Sequence, residues 1–523
     1  MSLKSHFHEA VHDLPSKSDI PAKEDLHDEG SVDPVYQAKA RILNQALQEI
    51  GMGKYQWGLF VVAGFGWFTD SAWPLYAAVY AQLVTGLILS PAVNEFHFNK
   101  PFLSLATNIG LLVGVILWSF GCDIWGRKWS FNLTLFIGGV FGTAMGGSLT
   151  FVALASLAAI SSVGVGGNIP VDSAVFLDFI PSSHQYLLTF MAIWWTFGQL
   201  FASLVAWPLI ANFSCAPTGP CTRSDNMGWR YFVFTLGAVM LLFSFVRLFA
   251  FPLYESPRYL LGRGRDADAV AVVHKIARYN GAETTLTVKD LEEAARGAEE
   301  EQNASAHRWR ALSEGSPWTG KHVRALFATK KMAWSTTLLI WIWGLIGLAT
   351  TLYNNFLPYL LASRGAKFED ATYHTIYRNQ VILSVVGIPS AIISTWTVEL
   401  PNVGRRGTLA VSAGLTGAFL FASTTARSSP ALLGWNCGYA LFSNIMYGVL
   451  YAVSPEIFPA NHRGTGNGLT GAAARVFGLL APIIALYANL DTAVPVYIAG
   501  GLVIGSGGLA FLLPFEPRGK ASI

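Results

Sequence analysis

The chain runs to 523 residues, 52% of them hydrophobic and only 13% charged, with 17 Trp and 34 Phe and a mean hydropathy of +0.41. Soluble globular chains carry about 25% charged residues, so a chain this long with so few is excluded from water over most of its length. A net charge of +3 does not point to nucleic acid as a partner, and four cysteines without metal-ligand spacing give neither a disulfide framework nor a metal site.

Residues 1–55 are polar and include an acidic run at 23–29. No apolar core follows a basic start, so they read as a cytoplasmic tail and not as a signal peptide. A bilayer core of ~30 Å takes about 20 apolar residues per helix. Six such segments follow, at 57–82, 102–121, 130–149, 151–177, 186–211 and 229–251. Six more lie at 333–361, 377–398, 408–426, 431–452, 465–488 and 494–514. Length and Ala, Leu and Gly content make them helices, because a lipid-exposed backbone must satisfy its own hydrogen bonds.

Between the two sets, residues 254–331 are rich in both signs of charge. Asp266–Asn280 has apolar residues at helical spacing, and the stretch after Leu291 is acidic and solvent-seeking. The chain thus divides into a tail (1–55), a six-helix bundle (56–252), a linker (253–332), a second six-helix bundle (333–515) and a short tail (516–523). The expected fold is all-α and integral to the membrane, twelve helices in two bundles with a site at the midplane between them. Arg127 and Lys128, Arg405 and Arg406, Arg463, the linker, and Arg518 and Lys520 all fall on one side if both termini are cytoplasmic. Arg223, Arg364, Lys367 and Arg427 sit on the other side and weaken the asymmetry.

After the second segment stands Asp123-Ile-Trp-Gly126-Arg127-Lys128. Asp123 ends a helix where it can meet basic groups or a helix N-terminus of the other bundle, Gly126 makes the turn, and the cations face headgroups. The second half echoes it at Glu399-Leu-Pro-Asn-Val-Gly404-Arg405-Arg406, the acid two places early, which is a repeat signal. Tyr254-Glu255-Ser256-Pro257-Arg258 follows the sixth segment, and Ser454-Pro455-Glu456-Ile-Phe-Pro459 with Arg463 follows the tenth. Glu255 with Arg258, and Glu456 with Arg463, are placed to latch the cytoplasmic side when it closes; simple helix capping is the plainer alternative.

These motifs resemble the major facilitator superfamily over residues ~55–515. The Asp-x-x-Gly-Arg-Lys core matches its loop signature, with Ser119 at the position usually held by a smaller residue four before the acid. Tyr254 to Arg258 is similar to the Pro-Glu-Ser-Pro-Arg signature of the sugar-porter and organic-ion branches, Tyr254 replacing the first Pro. The fourth segment, from Gly164-Val-Gly-Gly-Asn168 through Pro170 and Asp172 to Asp178 and Pro181, resembles fungal and synaptic-vesicle-protein-like relatives of the organic-ion transporters. It is also similar to the Gly-Gly-Asp-Tyr-Pro run of proton–phosphate symporters, with Asn168 at the place of that Asp.

Gly164, Asn168 and Asp172 share one helix face, and Asp178 points away to the cytoplasmic interface. Asp70 lies ~20 Å along the first helix at 1.5 Å per residue. An intramembrane carboxylate marks an ion pathway unless it is held structurally, so Asp70 and Asp172 are the proton-coupling candidates. Arg475 lies near the middle of the eleventh segment, on one face with Gly471, Gly478 and Pro482. The resemblance to organic-ion transporters implies anion binding there, since an Arg at this helix marks many anion carriers and an Asp marks cation carriers. The alternative is a salt bridge from Arg475 to Asp70 or Asp172. Thr350 to Tyr359 in the seventh segment occupies the region where sugar porters bind substrate, which makes Tyr353 and Asn354 candidates, with Asn168 and Gln199 beside them.

Cys215 and Cys221 bracket a loop on the outer side beside the sequon Asn212-Phe-Ser214, a setting that suits a disulfide. No nucleotide-binding loop is present, because the Gly-rich runs lack a Gly-Lys-Ser/Thr end. The reading is a monomeric secondary transporter without cofactor or metal, in the plasma membrane more than an internal one. It is expected to move a small organic anion with protons by alternating access and not to act as an enzyme. Sugar, phosphate or organic-cation transport on the same fold is the alternative, or a sensor that moves nothing.

Overall fold

A computed structural model describes residues 24–25, 33–72, 95–96, 101–215, 222–301, 321–363, 373–487, 494–517 and 520–521. Within that range the first helix precedes the membrane. α1 (Pro34–Ile50) starts at Asp33, whose carboxylate accepts the Val35 amide at 3.1 Å, with Pro34 in the first turn. Its apolar residues Tyr36, Ala40, Leu43, Leu47 and Ile50 recur every three or four positions and are buried, so a stretch that reads as a plain polar tail is an amphipathic helix.

The first bundle contains α2 (Lys54–Ala72), α3 (Pro101–Ile124), α4 (Arg127–Gly146), α5 (Phe151–Gly166), α6 (Asn168–Phe179), α7 (Ala192–Phe213) and α8 (Gly228–Phe245). α5 and α6 form one span interrupted at Gly167, just before Pro170, whose missing amide breaks the ladder. The linker folds into α9 (Asp266–Asn280), which buries Val270, Val273 and Ile276, and α10 (Val288–Glu301), which packs on α1. The second bundle contains α11 (Lys330–Ser363), α12 (Tyr373–Val398), α13 (Gly404–Ser423), α14 (Ser429–Ile457), α15 (Arg463–Tyr487) and α16 (Val494–Phe511). Glu24–Asp25 and Lys520–Ala521 form a two-residue parallel pair near the two ends of the chain.

Seven spans among the described residues are long and apolar enough by themselves to cross a bilayer. α2, α4, α13, α14 and α15 are not among them. Small residues set the packing, as in other helix contacts within lipid. A Cβ at Gly110 or Gly114 of α3 would come within 2.1 and 2.3 Å of α5 carbonyl oxygens. The bundles meet along α3 with α15 and α7 with α12, where a Cβ on Gly468 would lie 2.6 Å from Ser119 and one on Gly387 2.9 Å from Thr196.

Candidate substrate cavity and linker-side clasps

A cavity of about 350 Å³ lies between the bundles, lined among the described residues by α2, α3, α6 and α7 on one side and α11, α12, α14 and α15 on the other. It brings Asp70, Gln199 and Arg475 onto one wall system, with the amides of Asn436 and Asn444 and the rings of Trp195, Trp343, Tyr447 and Tyr451. Asp70 is buried and Arg475 half-buried. Among the described residues neither makes a hydrogen bond or close ion pair, and the Arg475 charge acts on Asp70 through space. The sequence therefore anticipates the members of this polar axis, but they face each other across the void without closing into a salt bridge.

Asn168 and Asp172 do not join them. They share the α6 face that packs on α2, while Ile169, Pro170 and Ser173 on the neighbouring face line the cavity. Asn168 donates to Thr69 Oγ1 at 3.1 Å. Asp172 Oδ2 accepts from Arg247 Nη2 at 2.7 Å, both side chains fully buried. Gly66 makes this possible: a Cβ there would stand 1.7 Å from Asp172 Oδ2. Arg247 also donates to the carbonyls of Val62 and Phe131 at 2.8 Å each and lies 3.7 Å over the Phe131 ring. The expected partner of Asp172 across the cavity is thus replaced by one within its own bundle. Tyr353 is buried behind the wall and donates to Asn436 Oδ1 at 2.9 Å, and the Asn354 side chain lies outside the described residues.

On the linker side the charged motifs assemble into two clasps. Asp123 accepts the amides of Gly464 and Thr465 at 3.2 and 2.7 Å and the Thr465 hydroxyl at 2.8 Å, capping α15 of the opposite bundle. Asp178 is ion-paired with Arg127 and with Arg463, the latter at 2.6 Å, and accepts Ser256 Oγ at 2.5 Å. Arg127 further donates to the Ala460 carbonyl at 2.5 Å. In the second bundle Glu456 takes Arg405 through two nitrogens, at 2.5 and 3.0 Å, and Glu399 lies 3.2 Å from the same guanidinium. Glu456 thus pairs with Arg405, and Arg463 with Asp178. Arg258 donates to Asn44 of α1 at 2.8 Å, so the latch runs through the N-terminal helix.

Two carboxylates cap helix starts at equivalent places. Glu255 accepts the Arg127 amide at 2.8 Å and the Lys128 amide at 3.4 Å. Glu516 accepts the amides of Arg405 and Arg406 at 3.0 and 3.2 Å, and Arg406 also donates to the Phe511 carbonyl. Each helix is entered through a glycine with positive φ, +103° at Gly126 and +59° at Gly404. A Cβ on Gly126 would meet Glu255 Oε2 at 2.6 Å. Gly126→Ala should therefore cost about 1–3 kcal/mol, read as a lower thermal midpoint of the purified protein; an unchanged midpoint would show that the turn relaxes freely.

Arg247 and Glu516 escape a reading of the sequence by motif, and Asp178 is placed at the cytoplasmic interface without its partners, although two of the three left a trace. Asp178-Phe-Ile-Pro181-Ser-Ser-His184 repeats as Glu456-Ile-Phe-Pro459-Ala-Asn-His462, and Phe515-Glu516-Pro517-Arg518 shadows Tyr254 to Arg258. Cys215 is disulfide-bonded while Cys122 and Cys437 are free; Cys221, the remaining cysteine, lies outside the described residues.

Residues 98–520 match the family model described as sugar (and other) transporter. The chain belongs to this family. A "MFS siderochrome iron transporter 1" of Ceriporiopsis subvermispora is 64% identical, over 95% of this chain and 94% of its own length. The "Major facilitator-type transporter hxnZ" of Emericella nidulans is 39% identical over 94% and 89%. A solved structure of the proton:xylose symporter XylE bound to 6-bromo-6-deoxy-D-glucose is 18% identical, covers 90% of this chain and 98% of its own, and superposes with a TM-score of 0.66. This member of the sugar (and other) transporter family has the major facilitator fold and is a secondary transporter of a small solute, not an enzyme.

Proposed function

We propose that the chain carries a small organic anion together with protons, its linker side facing the cytoplasm. The observation that carries this reading is the cavity that holds one guanidinium, Arg475, and one carboxylate, Asp70, from opposite bundles. Arg475 binds the substrate carboxylate through its planar fork, and Asp70 takes the proton that keeps the site neutral once Arg475 is engaged. Gln199 and Asn436 supply further hydrogen bonds, the latter positioned by Tyr353. Asp172, closed in by Arg247, serves the packing of the first bundle. The Lys and Arg residues gathered at the linker side support the orientation.

The test is uptake into proteoliposomes with and without an inward proton gradient. Asp70→Asn, which mimics the protonated acid, should abolish pH-driven accumulation of a labelled monocarboxylate while leaving exchange partly intact. Unchanged accumulation would remove Asp70 from the coupling. Transport of a ferric siderophore chelate is the second reading, favoured by the name of the 64% identical relative. A 350 Å³ cavity is at the small end of the ~300–1,000 Å³ range of ligand sites, which favours a compact solute; uptake of a 55Fe-hydroxamate chelate in the same vesicles decides between them.

A further inference from the structure

We infer that Tyr451 is the positioning residue of Asp70: its hydroxyl is the donor that receives the Asp70 carboxylate when the proton leaves. The inference rests on the reading of Asp70 as the proton carrier and names the group that sets when the proton goes. Tyr451 belongs to α14 of the second bundle and lines the cavity together with Asp70 of the first. Its ring packs on Trp67 of α2, with centroids 5.5 Å apart and planes at 65°. Trp67 and Asp70 stand three residues apart on one helix face. The ring on Trp67 therefore lies about one turn, ~5.4 Å, to the linker side of the carboxylate. Of the charges that act on the Tyr451 hydroxyl, Asp70 is the foremost and Arg475 the next.

The ring is fixed while its hydroxyl is not engaged. Besides Trp67, Trp195 of α7 lies 5.6 Å from it, Trp343 of α11 4.6 Å and Tyr447 6.3 Å. Trp343 is itself held, its indole N–H donating to Ser454 Oγ at 2.8 Å. Rings from four helices cage the phenol, so its hydroxyl turns its proton without swinging away. Among the described residues that hydroxyl makes no hydrogen bond, and neither does Asp70. Tyr447, one turn earlier, differs, because its hydroxyl lies 3.1 Å from Thr350 Oγ1. The charged and titratable groups that face Asp70 are Arg475 of α15, Tyr451 with Tyr447 behind it on α14, and Asp172 of α6, itself paired with Arg247. Asp172 opposes a second negative charge, and in the anion reading Arg475 is taken by the substrate carboxylate. Tyr451 is then the donor left to the ionised acid, and a hydrogen bond to the charged form favours that form.

The experiment is a pH titration of the full-length protein in proteoliposomes, followed by infrared difference spectroscopy. The protonated-carboxyl band that titrates in wild type and is missing from Asp70→Asn belongs to Asp70. In Tyr451→Phe, which keeps the ring and its cage, the midpoint of that band should move to higher pH by about one unit, the size of a lost hydrogen bond to a charged group. Incorporation of 3-fluorotyrosine at position 451 gives a stronger donor of nearly the same shape and should move the midpoint to lower pH. Tyr447→Phe should leave it in place. A midpoint unmoved in Tyr451→Phe and in the fluorinated protein overturns this proposal and leaves the proton reading standing; an equal shift in Tyr447→Phe overturns it as well. If wild type shows no such band, the proton reading falls and this proposal with it.

Discussion

Arg247→Ala should leave little folded protein, and Asp172→Asn in the same chain should restore much of it. Both partners are fully buried, and removing one half of such a pair strands the other charge at a cost of about 3–5 kcal/mol. That is a large share of the ~5–15 kcal/mol that holds a domain together. The asparagine has no charge to strand and keeps a group that can sit in the space left by Gly66. The yield of monodisperse protein from size-exclusion chromatography, with its thermal midpoint, reads the effect. If Arg247→Ala is as well folded as wild type, water reaches Asp172 and its assignment to packing is wrong.

Arg475→Ala should abolish concentrative uptake of the carboxylate while the protein stays folded. No described partner depends on the Arg475 side chain, so its removal leaves no orphaned charge close by. The substrate loses a charge-assisted contact of about 1.5–3 kcal/mol, equivalent to roughly 10–100-fold in apparent affinity at 1.4 kcal/mol per decade. Arg475→Lys keeps the charge but loses the planar fork, so KM should rise more than the maximal rate falls. Arg475→Asp should reject anions altogether. Initial rates over a substrate series, with thermal midpoints as the folding control, separate these outcomes; a wild-type KM in Arg475→Ala refutes anion binding at this position.

The helices were legible because crossing a bilayer leaves a long apolar run that local sequence cannot hide. The clasp residues were also legible one by one: Asp123 ends α3 where it can reach a helix start, and it does cap α15. Pairing was harder to read, because it depends on which helix turns face each other after two bundles dock. Glu456 stands seven residues from Arg463 in the chain, yet its two-nitrogen partner is Arg405, 51 residues away. In α6 a rotation of one residue separates the cavity face at Ile169 and Ser173 from the packed face at Asn168 and Asp172, and single-helix spacing cannot say which face looks inward. α1 was hidden for a different reason: its apolar and polar residues alternate around the helix, so no long apolar run forms and the buried stripe appears only at helical spacing.

Asp178 sits between two guanidiniums that belong to different bundles, Arg127 of its own and Arg463 of the other. When the bundles part on the linker side, Asp178 keeps Arg127, and Arg405 keeps Glu456, so neither of these two carboxylates is stripped of its counter-ion. What loses partners is one end of α15, the Arg463 guanidinium and the amides of Gly464 and Thr465, together with the Asp123 carboxylate that covers them and the Ala460 carbonyl that Arg127 holds. They are donors and acceptors small enough in number for water to satisfy together. The polar part of the barrier to opening is therefore a hydration event gathered around the start of α15, and the groups it frees are held by solvent.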